Sequence, residues 1–178
     1  MALTAYLALV DSDDLTWDST TDPNAPNWTV GAAGFEVSGG ANSSPYNVGW
    51  IEIHAFNSWL EGGITVIKTI EVSSPQLGEL SVSGATVPAV HLVLPNQRMA
   101  YTLIKATVTS FRPQYNLGQS TSGGMLPGLT EPFEEVSLTC QRFRWRYIEA
   151  IQDTSVTPAT TTYATIEREC DVKAGTIM

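Results

Sequence analysis

The sequence predicts a mainly β protein, a β-barrel of two packed antiparallel sheets with one short helix on its side. Three observations carry this. Most segments between turn clusters alternate apolar and polar residues with the two-residue period of a strand. Gly, Pro, Asn, Asp and Ser clusters punctuate the chain at short intervals. A single segment combines start and stop signals of a helix. Many strands and one helix are the pattern of a barrel or two-sheet fold.

Taken in order, Ala2 to Val10 (ALTAYLALV) alternates as a short strand and ends at the acidic turn Asp11 to Asp14. Leu15 to Gly49 is loop-rich, with one candidate strand at Trp28 to Ser38. So long a stretch in a compact domain is functional or pinned by a partner. Trp50 to Phe56 and Ile64 to Ile70 are strands around a Glu61-Gly62-Gly63 hairpin loop. Ser74 to Ser83 is the helix: the Ser74 hydroxyl caps it, Pro75 opens it, and Gly84 ends it in the left-handed conformation. Gly78 weakens it internally. Val87 to Leu94, Ala100 to Phe111, Glu134 to Tyr147 and Thr161 to Val172 complete the strands. Asn116 to Pro132 is a glycine-rich loop and Asp153 to Thr160 a Thr/Pro loop. The whole of 1–178 reads as one domain with a loop-rich insertion at about 15–49.

Glu134 to Tyr147 (EEVSLTCQRFRWRY) is the most unusual strand. One face carries Val136, Leu138 and Cys140, then Arg142, Arg144 and Arg146; the other carries Ser137, Thr139 and Gln141, then Phe143, Trp145 and Tyr147. Each face is apolar along one half only. Such a strand needs a second packing partner, from this chain or a neighbouring subunit, or a β-bulge near Gln141 that resets the alternation.

Only 15% of the 178 residues are charged, against about a quarter in a usual soluble domain. A surface so poor in charge suits coverage by partners. The formal charge of −9 disfavours duplex nucleic acid and anionic membrane. Three of the nine basic residues are the ladder Arg142, Arg144, Arg146, which is expected to face a lumen, to face solvent or, as the acidic remainder of the chain favours, to pair with carboxylates across a subunit boundary. Cys140 and Cys170 read as reduced small hydrophobes, with no disulfide implied. The amino terminus carries no charged-then-apolar leader, and no apolar run approaches the ~20 residues that span a bilayer. The expected site of synthesis is the cytosol.

No catalytic or metal motif stands out. His54 and His91 lie in separate strands without ligand spacing, and Asp11, Asp13 and Asp14 lack the central Gly and distal Glu of a calcium loop. There is no phosphate-binding loop or nucleophile elbow. No cofactor is expected, and the chain reads as a non-enzyme. Asn27-Trp28-Thr29 and Asn42-Ser43-Ser44 match a glycosylation acceptor but read as polar loop residues. Trp17, Trp28, Tyr46, Trp50 and Trp59 enrich the first third in aromatics. Interface or core packing is the simpler account; sugar stacking on a carbohydrate-binding β-sandwich is the alternative.

Three segments together resemble the haemolysin-coregulated protein family, the tube proteins of bacterial type VI secretion. Lys68 to Leu77 (KTIEVSSPQL) is similar to the family's Lys–x–Ile–Asp–x–x–Ser–Pro–x–Leu segment, with Glu71 in the place of Asp. Gly84 to Leu94 (GATVPAVHLVL) resembles its glycine turn, proline and strand, and Pro132 to Tyr147 its acidic residue, Val–Ser–Leu stretch and aromatic end. The long Leu15 to Gly49 segment and the short Glu61-Gly62-Gly63 connection depart from the pattern. The resemblance implies a barrel subunit of a homohexameric ring, rings stacked into a hollow tube, a sheath and spike around it, and effector cargo within. A related contractile tail tube carries the same implication. The subunit would wait in the bacterial cytoplasm and be expelled without a signal peptide. Trp17 and Trp28 would then anchor a neighbouring subunit.

Overall fold

The computed structural model describes residues 5–22, 25–31, 34–41, 46, 48–59, 63–114, 132–155, 160–172 and 176–177. The expected glycine-rich loop at 116–131, the Glu61-Gly62 turn, Asn42 to Pro45 and residues 2–4 lie outside them.

The strands are β1 (Ala5–Val10), β2 (Leu15–Asp22), β3 (Ala25–Val30), β4 (Ile51–Ile53), β5 (Ala55–Trp59), β6 (Gly63–Thr69), β7 (Thr86–Leu94), β8 (Met99–Gln114), β9 (Phe133–Thr139), β10 (Arg142–Asp153), β11 (Thr160–Asp171) and β12 (Thr176–Ile177). One helix, α1 (Ser74–Ser83), lies between β6 and β7. The fold is mainly β with one helix, as predicted. Its sheets differ from the expected two packed layers: ten strands form one continuous sheet, and β2 and β3 form a separate hairpin. The candidate strand at Trp28 to Ser38 is replaced by β3 and a lone bridge between Val10 and Phe35.

β8 organises the large sheet. One edge pairs with β7, which continues to β1 and β4; the other edge takes β9 and β10 in succession. β9 continues to β6 and β5, and β10 to β11 and β12. All these pairings are antiparallel. The His54 amide, between β4 and β5, donates to the Ile67 carbonyl at 2.8 Å, so consecutive strands reach β1 on one side and β6 on the other.

β1 is buried on both faces, which its mostly apolar sequence AYLALV permits. Ala5, Leu7 and Leu9 enter a first core cluster with Ile64, Val66, Leu92, Leu103, Val136, Leu138 and Leu77 of α1. Tyr6, Ala8 and Val10 enter a second cluster with Trp28, Tyr46, Trp50 and Ile148. Leu15, Trp28, Ala41, Tyr46 and Trp50 therefore cover the second face of their own sheet. The burial expected from a neighbouring subunit is supplied within the chain, because a sheet with apolar residues on both faces needs two covers.

The exchange of faces in the Glu134–Tyr147 stretch has a shared cause. Successive inward positions in a strand are two residues apart. Here β7 turns Val87 and then Val90 to the first cluster, β8 turns Ala106 and then Leu103, and the β9–β10 stretch turns Cys140 and then Phe143. The extra positions Pro88, Lys105 and Gln141 are exposed, and the register places them in one row. Lys105 takes the left-handed conformation, φ 53°, and Gln141 is a bend between strands. Three strands step together, so inward parity changes without loss of register. The alternative of a bulge near Gln141 is met in part: the alternation resets there, but without a register shift, which in the β8–β9 pairing lies between Val108 and Ser110.

Helix α1 begins and ends where predicted, but not by the predicted cap. Ser73 occupies the N-cap position, no side chain caps the helix, and Pro75 sits in its first turn. Ser74 is buried, and its hydroxyl faces the sheet instead. Gly84 closes the helix at φ 65°, its amide donating to the Leu80 carbonyl at 3.0 Å.

Candidate functional site

Two polar constellations stand out from the apolar framework. The first is the arginine ladder. Alternation along β10 puts Arg142, Arg144 and Arg146 on one face, and the same period puts Glu167 and Glu169 of the antiparallel β11 beside them, with Arg144 opposite Glu169 and Arg146 opposite Glu167. The Arg142 Nη1 lies 2.9 Å from Glu169 Oε1, and the Arg144 Nε 2.8 Å from Glu169 Oε2. Arg144 also reaches Asp13 Oδ2 at 3.1 Å, and Arg146 pairs with Glu167 and donates to the Leu15 carbonyl. Burial opposes the Arg144 charge, but the Glu169, Glu167 and Asp13 carboxylates outweigh it and raise its pKa. The partners expected across a subunit boundary are therefore supplied within the chain, by one strand neighbour and one turn.

His91 of β7 lies beneath this ladder, buried. Its Nε2 is 3.1 Å from the Ser12 carbonyl, which can only accept, so Nε2 carries the proton and Nδ1 accepts from the Thr102 hydroxyl at 3.0 Å. Desolvation pulls its pKa down to about 4, and Arg146 and Arg144 add to that, against the Ser12 hydrogen bond and Asp13. It is a neutral core histidine that holds the Asp11–Asp14 turn.

The two tryptophans assigned to an interface have separate places. Trp28 is 1% exposed in the second cluster, and its amide donates to the Tyr46 hydroxyl at 2.9 Å. It anchors its own chain, because the sheet face beneath it is apolar. Burial raises the Tyr46 pKa to about 12. Trp17 is half-buried, with Nε1 donating to Thr165 Oγ1 at 2.8 Å and its ring edge-on to Tyr163. Trp17 thereby ties β2 to β11.

The second constellation is a buried ion pair. Lys68 of β6 stands opposite Glu134 of β9, with Nζ 2.5 Å from Glu134 Oε1 and both side chains sealed from solvent. The Lys68 Nζ also reaches the Thr69 carbonyl at 2.8 Å, Ser74 Oγ at 3.3 Å and Glu71 Oε1 at 3.4 Å. Ser74 Oγ donates to Glu134 Oε1 at 2.9 Å and accepts the Glu71 amide at 3.0 Å. The serine expected to cap the helix thus ties it to the sheet. Sequence reading missed this pair, although its signal was present: the period through Ile64 and Val66 puts Lys68 inward, and that through Leu138 and Val136 puts Glu134 inward.

The Ser74 hydroxyl lies beside Glu134 and Lys68, but all three are buried. Among the described residues, no three of His, Cys, Asp or Glu gather as metal ligands, and no helix is long and apolar enough to cross a membrane. Neither Cys140 nor Cys170 is in a disulfide, and burial raises the Cys140 pKa to about 12. The arrangement can hold strands, helix and insertion together.

No family model matches the chain, and no curated protein matches it. Solved structures do. Hcp2 from Salmonella typhimurium superposes with a TM-score of 0.60 at 15% identity, over 97% of this chain and 98% of that one. The chain has the Hcp fold. Hcp1 from Salmonella typhimurium gives a TM-score of 0.55 at 18% identity over the whole of both chains. A type six secretion system protein gives 0.59 at 15% identity, over 99% of this chain and 100% of that one. Three of the residues that carried the resemblance, Lys68, Ser74 and Glu134, meet in one hydrogen-bonded group.

Proposed function

We propose that the chain is the structural subunit of the inner tube of a contractile secretion or injection machine of the type VI kind. The observation that carries this reading is the end-to-end match to Hcp2, 97% of this chain against 98% of that one. We infer further that the strand circuit β1, β4, β5, β6, β9, β8, β7 closes as a barrel. The pairings of β4 with β1 and of β5 with β6, with the His54 amide on the Ile67 carbonyl, support that closure. In this reading the subunits form homohexameric rings, the rings stack head to tail through heterologous contacts, a sheath surrounds the tube and a spike tips it. Effector cargo occupies the lumen, and the subunit passes from bacterial cytoplasm to its target by expulsion. The role is structural rather than enzymatic.

The carbohydrate-binding alternative loses its main support. Trp28, Tyr46 and Trp50 are each at most 5% exposed and so offer no platform for a sugar ring. Light scattering on the purified chain tests the proposal. A mass six times that of the 19.2 kDa subunit, or a multiple of it, with annular particles in negative stain, is expected. A monomer at tens of micromolar overturns it.

A further inference from the structure

One polar row crosses the second face of the sheet. The register places Ala8 of β1, His91 of β7, Thr102 of β8, Arg144 of β10 and Glu169 of β11 side by side on neighbouring strands. Residues directly opposite one another share a face. Ala8 lies in the second core cluster, and the row lies on that side with it.

The Asp11–Asp14 turn closes over this row. Three side-chain donors of the sheet each hold a main-chain carbonyl at or just beyond the turn. His91 Nε2 holds Ser12 at 3.1 Å, Arg144 Nη1 holds Asp13 at 3.4 Å, and Arg146 Nη1 holds Leu15. On its other side the turn holds the chain beyond β3. The Asp11 amide donates to the Gly34 carbonyl at 3.2 Å, the Gly34 amide to Asp11 Oδ1 at 3.0 Å, and the Gly31 amide to the Asp14 carbonyl at 3.2 Å.

The charges around the row suit a neutral histidine. Arg144 and Arg146 face His91 from β10, and Asp13 faces it from the turn. Glu169 and Glu167 pair with the two arginines from β11. β1 and β8 present Ala8 and Thr102, which carry no charge. A proton on His91, which is 0% exposed, is therefore a third cation beside two arginines and away from water. That cation needs hydration. β7 cannot move to supply it, because it pairs with β1 on one edge and β8 on the other. The turn can: it is no strand of the sheet, and Asp11 and Asp14 are exposed.

We propose that the Asp11–Asp14 turn is a proton-sensitive latch, which opens when His91 takes a proton and closes when it loses one. Leu15 and Trp28 stay in the second cluster, so the β2–β3 hairpin keeps its apolar anchors while its polar fastening is released. With the turn closed, His91 takes its proton near 4; with the turn open and water present, it does so near its ordinary 6.5. The open state binds more protons between these values, so opening rises as pH falls. Between pH 7 and pH 5 the opening constant is expected to grow about 20-fold. Carboxylates ordinarily titrate lower, around pH 4, which leaves this window to the histidine.

Hydrogen exchange on the full chain tests the latch, read at the Asp11, Gly31 and Gly34 amides and corrected for the intrinsic effect of pH. These amides are expected to open about 20-fold more often at pH 5 than at pH 7, and at both values about tenfold or more above β7 and β8. In His91→Gln, whose side-chain amide can still donate to the Ser12 carbonyl but does not titrate, the ratio is expected to fall below about 3. Asp13→Asn, at a half-exposed site, is expected to keep the wild-type ratio. Equal ratios in wild type and His91→Gln overturn the proposal. So does a ratio of about 1 in Asp13→Asn, which would make the Asp13–Arg144 pair the trigger and stands even if His91→Gln does not fold. Turn amides that exchange no faster than β7 and β8 overturn it too, since opening would then be global unfolding.

Discussion

Lys68 and Arg142 each meet a glutamate on the neighbouring antiparallel strand. Lys68 is sealed, while Arg142 is 40% exposed. The pair at Lys68 stands between the first core cluster and helix α1, with Glu134 across the ladder and Ser74 between them. The pair at Arg142 stands at the open end of a ladder whose inner rungs, Arg144 and Arg146, are 14% and 13% exposed. The same chemistry therefore has two meanings. A sealed charge is costly to leave alone, since its lost hydration is replaced only by its partner. An exposed one exchanges that partner for water and salt at little cost. The buried group fixes one arrangement of strand and helix, and the ladder fastens a turn and a hairpin onto the sheet.

The strongest test of this contrast is to remove one buried charge. Lys68→Leu leaves Glu134 unpaired and is expected to cost about 3–5 kcal/mol, measured by urea unfolding. Lys68→Leu with Glu134→Leu is expected to recover most of that loss, because the remaining groups are apolar. A single variant within about 1 kcal/mol of wild type would mean that water reaches the site.

Acid probes the floor beneath the ladder. An unfolded histidine takes its proton near 6.5, and the buried His91 near 4. The unfolded chain therefore binds more protons between these values, and stability falls as pH drops through that window. About 3 kcal/mol is expected to be lost between pH 7 and pH 4 from this group. Urea midpoints across that range should fall for the wild type and fall less steeply for His91→Gln. Equal slopes would remove His91 as the cause.

Ser74→Ala comes next. It removes a hydroxyl that serves Glu134, the Glu71 amide and Lys68, so about 1–3 kcal/mol is expected. The loss should shrink in a Lys68→Leu, Glu134→Leu background, where the charged partners are gone. An equal loss in both backgrounds would reduce the serine to a local turn role. The smallest effect is expected at the ladder's open end. Arg142→Gln should cost less than about 1 kcal/mol, and the difference should fade in high salt. A loss as large as that of Lys68→Leu would erase the distinction between the two sites.

Much of the fold was legible in the sequence, and the misses share a cause. The single strand expected at Glu134 to Tyr147 is two, β9 and β10, broken at Gln141, whereas the bounds of α1, its glycine stop and the long β8 and β11 strands follow from period and punctuation. The β2–β3 hairpin did not, because LTWDSTTD and APNWTV carry turn-forming residues inside strands whose apolar positions matter only once a sheet face lies beneath them. Val30 and Trp28 have a second cluster to meet, and nothing local announces it. The ladder was visible as a spacing of arginines. Its partners were not, since Asp13 lies 131 residues away along the chain.

By itself the sequence determined which residues share a face. Alternation is a property of the extended backbone, set by covalent geometry within a few residues. It placed Arg142, Arg144 and Arg146 together, and it would have placed Lys68 and Glu134 inward had the pattern been followed to its polar ends. Only the tertiary structure decided what each face meets. Glu134 finds Lys68 across 66 residues of chain, and the exchange of inward parity requires Pro88, Lys105 and Gln141 to line up on three strands at once. Such meetings depend on register between distant segments, and a one-residue slip would turn every one of these side chains to the opposite face.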